Sequence, residues 1–203
     1  MTDDITFYHN PQSRASMAHW MLEEVGAPYT IVPIDFASGQ NKAPEFLAVN
    51  PMGKLPTIIH KGVVVTETAA IIAYLADTFP TAGLAPAIGD PRRGTWYRWL
   101  FFGSGCFEPA LIDTMFQRPP PENSAAMPYG TYADMIGALK TALTPGPFIL
   151  GDTFSAADVY IGSEINWAMM FGAPLIKGDP VFEAYVARVK QRPAYLRVAP
   201  PTS

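Results

Sequence analysis

The spacing of apolar side chains changes period several times in the first eighty residues. Ile5-Thr6-Phe7-Tyr8 is a short β-rich run that stops at His9-Asn10-Pro11, a turn signal. From Arg14 the period is helical: Ala18, Met21, Leu22 and Val25 fall at i, i+3, i+4 and i+7, with Gly26 placed to cap the end. Pro28 and then Tyr29 to Ile34 return the chain to strand. Strand, crossover helix and strand predict a parallel βαβ unit. A polar stretch, Ser38 to Pro44, leads into a short helical piece around Glu45-Phe46-Leu47. Pro56 to His60 and Val63 to Val65 flank Lys61-Gly62, a compact hairpin, and Thr68, Ile71, Ile72, Leu75 and Phe79 mark one helical face.

The order β-α-β-(α)-β-β-α over residues 1–79 is the plan of a thioredoxin-like α/β domain with a mixed four-stranded sheet. Residues 80–90, with Pro80, Gly83, Pro86 and Gly89, read as a linker. Residues 91–203 contain no convincing strand pair and predict an all-α helical domain. Trp96 to Met115 is a long apolar-rich helix, bent near Gly103, Gly105 and Pro109. It is ended by Arg118-Pro119-Pro120-Pro121. A second helix runs from Ala126 to Leu143 and stops at Thr144-Pro145-Gly146-Pro147; a last one spans Pro180 to Gln191. Between them, Phe154-Ser155-Ala156-Ala157-Asp158-Val159 is a helix start. Ser155 is the cap, Asp158 reaches back to it, and Phe154 can pack on Val159 as a hydrophobic staple. Pro200 to Ser203 form a loose tail.

Composition narrows the function classes. Of 203 residues 49% are apolar and 16% charged, the profile of a globular chain. Residues 1–80 carry four basic and eight acidic side chains, against ten of each in the remainder. Neither part has a basic run that would track phosphates, so nucleic acid is not an expected partner. Cys106 is the only cysteine. One thiol makes neither an internal disulfide nor a cysteine zinc site, so a reducing compartment and no metal are expected. Met1-Thr2-Asp3-Asp4 is acidic, without the basic flank or apolar core expected of a leader, and no apolar run approaches the ~18 residues of a spanning helix. A cytoplasmic protein with no membrane partner is expected.

Three segments carry a resemblance: Tyr8-His9-Asn10-Pro11-Gln12-Ser13-Arg14; Asn50 to Pro56 with Glu67-Thr68-Ala69-Ala70-Ile71; and Phe154 to Asp158. In this order and spacing the chain resembles the cytosolic glutathione S-transferase family, especially bacterial and fungal branches with a serine in the active-site loop. The resemblance implies two domains, glutathione as cosubstrate, a small apolar electrophile as second substrate, and a homodimer. It also implies a cis Leu55-Pro56 bond, which turns the Leu55 backbone outward to pair with the cysteinyl part of glutathione like an added strand.

Glu67 and Thr68 stand at a helix start, whose N–H groups and partial positive charge suit the γ-glutamyl carboxylate; Glu67 can take the ammonium group. Capping of that helix by Thr66 or Glu67 is the plainer role, and the two are compatible. Lys54 is placed for the glycyl carboxylate, though a loop lysine is ordinarily just solvated. Asn41 lies where family members carry another contact.

The thiolate is the nucleophile, and a cysteine thiol titrates near about 8.5. Lowering that by two pH units takes roughly 2.7 kcal/mol. A hydroxyl donor at a helix N-terminus can supply it. Ser13 stands where serine-type members hold that hydroxyl; Tyr8 is the alternative, used at the end of this strand in other branches, and Ser13 as a simple cap is a third reading. Arg14 adds positive potential, and it replaces the cysteine of other branches, which argues against a glutathione disulfide mechanism. Ser13-Arg14-Ala15-Ser16 has dithiol spacing with both cysteines replaced, and serine cannot form the mixed disulfide of exchange. The electrophile pocket is expected between the domains, with Phe102, Cys106, Phe107, Glu108, Trp167 and Phe171 as its candidates. At helical spacing these are equally core residues, Cys106 being a small apolar one. Peroxide reduction, a glutathione-dependent isomerase or lyase, and a non-catalytic ligand- or partner-binding protein of the same fold are the other readings.

Overall fold

The computed structural model describes residues 4–120 and 122–199. The acidic start Met1-Thr2-Asp3, Pro121 and the tail from Pro200 to Ser203 lie outside the described residues. The chain divides into two compact units, one reaching to Gly83 and resumed from Pro193, the other running from Leu84 to Arg192.

In the first unit the predicted elements form in the predicted order. They are β1 (Ile5–His9), α1 (Ala15–Val25), β2 (Tyr29–Pro33), α2 (Pro44–Leu47), β3 (Thr57–His60), β4 (Val63–Thr66) and α3 (Thr68–Thr78). The sheet order is β2-β1-β3-β4, with β1 parallel to β2 and antiparallel to β3. Alternation puts Ile5, Phe7 and His9 of β1 on the face that meets α1, where Phe7 is 5.7 Å from the His19 ring. Tyr8 points to the other face, 5.3 Å from Phe46 of α2. The core is Ile5, Phe7, Met21, Leu22, Ile58, Ile71, Ile72 and Leu75, all fully buried. Helix α1 buries a wider stripe than its i, i+3, i+4, i+7 pattern marks, adding Met17 and Trp20.

Part of that extra burial comes from the far end of the chain. A short helix, Pro193–Val198, packs on α1; Tyr195 sits edge-on to Trp20 at 5.0 Å, and the Arg197 side chain pairs with the Glu23 carboxylate. By sequence this segment groups with the helical domain, because nothing local marks it as part of an α/β unit.

The second unit is helical: α4 (Arg92–Phe102), α5 (Glu108–Met115), α6 (Tyr132–Leu143), α7 (Ala156–Met170) and α8 (Pro180–Val189); the Pro193–Val198 helix of the first unit is α9. Between α4 and α5, Gly103–Phe107 form one π-helical turn, and Pro109 has no N–H to continue an α ladder there. The expected bend is therefore a wide turn in one continuous helical path. Helix α6 starts six residues later than its apolar pattern suggests. Gly130 adopts φ 65°, Thr131 caps the helix with Asp134 reaching back, and residues 124–126 form a separate 3₁₀ turn. The expected linker is also more anchored than its composition suggests. Leu84 is buried, and its carbonyl accepts the Ala156 N–H at 2.8 Å.

The Ser155–Asp158 box at the start of α7 forms as its residues predict, while the Phe154 ring packs edge-on to Phe148 at 5.4 Å. Buried Asp158 accepts four bonds: from the Ser155 N–H (2.9 Å) and hydroxyl (3.0 Å), the Ile149 N–H (2.8 Å) and the Tyr185 hydroxyl (2.9 Å). Burial pushes this carboxyl up to about 6, against the downward pull of the four donors.

Candidate functional site

The sheet register gathers the motif segments of the first unit. Tyr8 pairs with Thr57, and Thr57 with Thr66. The β1–α1 loop, the approach to β3 and the β4–α3 junction therefore leave the same end of the sheet. Ser13, Leu55-Pro56 and Glu67-Thr68 are carried by those three connections.

Asn10 organises the first loop. Its Nδ2 donates to the Ile34 carbonyl at 2.8 Å, and its Oδ1 accepts the Gln12 N–H at 2.8 Å in an Asx turn. Its own carbonyl accepts the Ser13 N–H at 3.1 Å and the Ser13 hydroxyl at 2.7 Å. The Ser13 Oγ in turn accepts the Ala15 N–H at 3.1 Å. So Ser13 Oγ accepts from the first residue of α1, and its single proton, held by the Asn10 carbonyl, can be re-aimed only by rotation about Cβ–Oγ. Arg14 is the half-buried residue immediately before the helix.

The second connection is pinned by Asn50, which is only 3% exposed. Its Nδ2 donates to the Lys54 carbonyl (2.9 Å) and to Thr57 Oγ1 (3.1 Å), and its Oδ1 accepts the Met52 N–H (3.1 Å). The Leu55-Pro56 bond is cis, as the resemblance implied. Gly53 adopts φ 62°, and a Cβ there would lie 2.5 Å from the Asn41 carbonyl oxygen, so only glycine fits. Asn41 has a positioning role in this structure, its Nδ2 donating to the Gly53 carbonyl at 3.1 Å. Lys54 is exposed. Lys42, which the sequence reading did not single out, donates to the Met52 carbonyl at 3.0 Å and places a second ammonium on this loop.

At the third connection Glu67 adopts φ 66° and ψ 122°, outside the regions a side-chain-bearing residue prefers. Such outliers cost on the order of 1–3 kcal/mol and persist where the surroundings impose them. The Glu67 side chain does not cap α3, so the first-turn N–H groups of that helix keep their capacity for an anion. Thr68, the first helical residue, is buried.

Behind β1 lies a titratable cluster that no sequence pattern announced. The Glu23 carboxylate takes the Arg197 guanidinium and the Tyr29 hydroxyl at 2.6 Å; Tyr29 also contacts His19 Nε2 at 2.8 Å. Because the Tyr29 proton goes to an acceptor-only carboxylate, His19 Nε2 must carry the hydrogen it shares with Tyr29. The His9 ring stands 5.1 Å from that of His19. Burial, with some repulsion from His19, lowers the His9 imidazole to about 4. Burial also pushes the Tyr29 phenol well above its usual range, aided by its bond to Glu23.

The remaining candidates lie in the helical unit. The Phe102 ring packs edge-on to Trp99 at 4.9 Å, and Phe107 is fully buried. Cys106 donates to the Pro128 carbonyl at 3.2 Å, and burial pushes its thiol up. Glu108 opens α5. Trp167 meets Phe171 edge-on at 5.3 Å at the end of α7, where Phe171 is exposed. No helix among the described residues is long and apolar enough to cross a membrane, and none of their His, Cys, Asp or Glu side chains form a metal-holding group.

Residues 3–77 match the family described as the glutathione S-transferase N-terminal domain. The glutathione S-transferase-like protein gedE of Aspergillus terreus is 31% identical over 164 residues, covering 73% of this chain and 70% of the fungal one. Glutathione S-transferase GstA of Escherichia coli O157:H7 is 25% identical over 188 residues, 92% of either chain. Among solved structures, a sphingomonad glutathione S-transferase complexed with glutathione superposes with a TM-score of 0.77. It is 30% identical and the match covers 95% of this chain and 96% of that one.

Proposed function

Because the chain belongs to the glutathione S-transferase family, we propose that it binds glutathione across the sheet end described above and activates it as a thiolate for transfer to a small apolar electrophile. The observation that carries this reading is the convergence of the Ser13 loop, the cis Leu55-Pro56 bond and the strained Glu67 on one end of one sheet. The γ-glutamyl carboxylate goes to the first turn of α3, with Thr68 as a hydroxyl donor and Glu67 holding the ammonium. The cysteinyl backbone pairs with Leu55 beside Pro56. The glycyl carboxylate meets Lys54, with the Lys42 ammonium held against the same loop through the Met52 carbonyl.

The Ser13 hydroxyl turns from the Asn10 carbonyl to the sulfur, and the N-terminus of α1 adds positive potential there, with Arg14 beside it. The thiol proton leaves to solvent. The thiolate then forms a C–S bond at the electrophilic carbon, and the leaving group, a halide in a generic aryl halide, departs with the bonding pair. Reduction of an organic hydroperoxide uses the same thiolate, which attacks the distal oxygen and releases the alcohol; a second glutathione then converts the resulting sulfenic acid to glutathione disulfide and water. The chain acts as a homodimer; Phe107 is fully buried and belongs to the core, so the second substrate is served by side chains drawn from Phe102, Cys106, Glu108, Trp167 and Phe171.

Calorimetry at millimolar glutathione tests binding, and absence of heat would remove the enzymatic reading. Thiolate absorbance against pH tests the donor. A hydrogen bond to a charged group contributes about 1.5–3 kcal/mol. Ser13→Ala should therefore slow turnover roughly 10- to 150-fold and raise the apparent pKa of bound glutathione by about one to two pH units. Tyr8→Phe should leave that titration in place. The reverse pattern would transfer the role to Tyr8.

A further inference from the structure

The Ser13 hydroxyl has one proton, and it donates that proton to the Asn10 carbonyl at 2.7 Å. That carbonyl is fixed in space. The Asn10 side chain ties the loop to the segment after β2 through Ile34, and to its own turn through the Gln12 N–H. The Asn10 backbone follows His9, whose carbonyl accepts the Ile34 N–H at 2.8 Å. Two bonds from one side chain thus set both the position of Ser13 and the competitor for its proton. Both side-chain bonds of Asn10 go to backbone groups.

We propose that Asn10 is the positioning residue of the thiolate site, fixing the turn that aims the Ser13 hydroxyl. The inference rests on the glutathione reading and adds to it where the hydroxyl gets its orientation. The hydroxyl oxygen stays seated on the Ala15 N–H while the proton changes partner, from carbonyl oxygen to sulfur. Activation therefore needs no movement of backbone, and its strength depends on how rigidly the Asn10 turn holds Oγ.

Three substitutions grade this dependence. Asn10→Ser keeps a short acceptor for the Gln12 N–H but does not reach Ile34. Asn10→Ala loses both bonds. Asn10→Asp keeps the acceptor, turns an oxygen toward the Ile34 carbonyl and adds a negative charge near the sulfur. At saturating glutathione the apparent thiol pKa should rise in the order wild type, Ser, Ala, Asp, by about one pH unit for Ala, with turnover falling about tenfold. A merely structural role would lower thermal stability and leave the titration midpoint where it was. An unchanged midpoint in all three variants, with Ser13→Ala still shifting it, overturns the inference and leaves the function standing.

Hydrogen exchange of the Ala15 amide gives a readout without glutathione, because that N–H donates to Ser13 Oγ. It should quicken about tenfold in Asn10→Ala relative to neighbouring α1 amides. An unaltered rate overturns the positioning role whether or not glutathione binds. If Asn10→Ala does not fold, Asn10→Ser supplies both measurements.

Discussion

Where His9 and His19 meet behind β1, two imidazoles share a space that suits neither as a cation. His9 titrates near 4 in the folded chain, against about 6.5 when unfolded, chiefly through burial. Burial also lowers His19, partly countered by Glu23, which stands on the same helix and is itself paired with Tyr29 and Arg197. Between pH 6.5 and 4 the unfolded chain binds more protons than the folded one, so stability rises with pH across that window. It is complete above about 6.5 and is lost as pH falls toward 4. Because His9 is only half-buried, screening reduces the effect to on the order of 1–2 kcal/mol. His9→Gln should lose that much less stability than wild type between pH 7 and 4, measured by urea unfolding. Parallel pH profiles for the two proteins would count against this account. At this scale the local conformations were legible, Ser13 just before α1, the cis Leu55-Pro56 bond and the helix start at Thr68, because each belongs to a compact motif. Asn10 and Glu23 were not readable. Their value lies in partners 24 and 174 residues away, and no periodicity encodes that.

Helix α7 is the best case of an element whose start is fully encoded in a few consecutive residues. Ser155 and Asp158 are three apart, and the box forms; what the spacing does not reveal is that Ile149 and Tyr185 also donate to Asp158. One carboxylate thus joins the preceding loop, the cap and α8. Asp158→Ala strands four donors in the interior and should cost about 3–5 kcal/mol, seen as a lower urea midpoint. Asp158→Asn keeps one acceptor oxygen and should recover part of it. A loss under about 1 kcal/mol for the alanine variant would mean the donors find other partners. The start of α6 shows the opposite. Apolar periodicity runs back to Ala126, yet Gly130 at φ 65° breaks the helix before Thr131 can cap it. Backbone conformation outweighs pattern there.

For the whole molecule, the division into an α/β and a helical unit was legible from the change of period near residue 80, whereas the ownership of the last residues was not. Homodimerisation is a proposal that rests on the family resemblance, with the α3 face near Ala69 and Ala73 as the proposed contact, since small side chains let a second chain approach closely. Light scattering at micromolar concentration should give twice the 22.1 kDa of one chain. A mass of one chain would refute it.

The docking of α9 on α1 also has a consequence for biosynthesis. The first unit is begun by residues translated before the helical unit and completed only by residues from Pro193 onward, translated after it. At roughly 5–20 residues per second, the intervening helical unit takes on the order of 5–20 s to emerge. Through that interval the Trp20 flank of α1 lacks Tyr195, and Glu23 lacks the guanidinium it holds in the finished chain. The portion that carries the glutathione motifs is therefore translated first and closed last, and a nascent chain halted before Pro193 presents an apolar flank to whatever chaperone attends it.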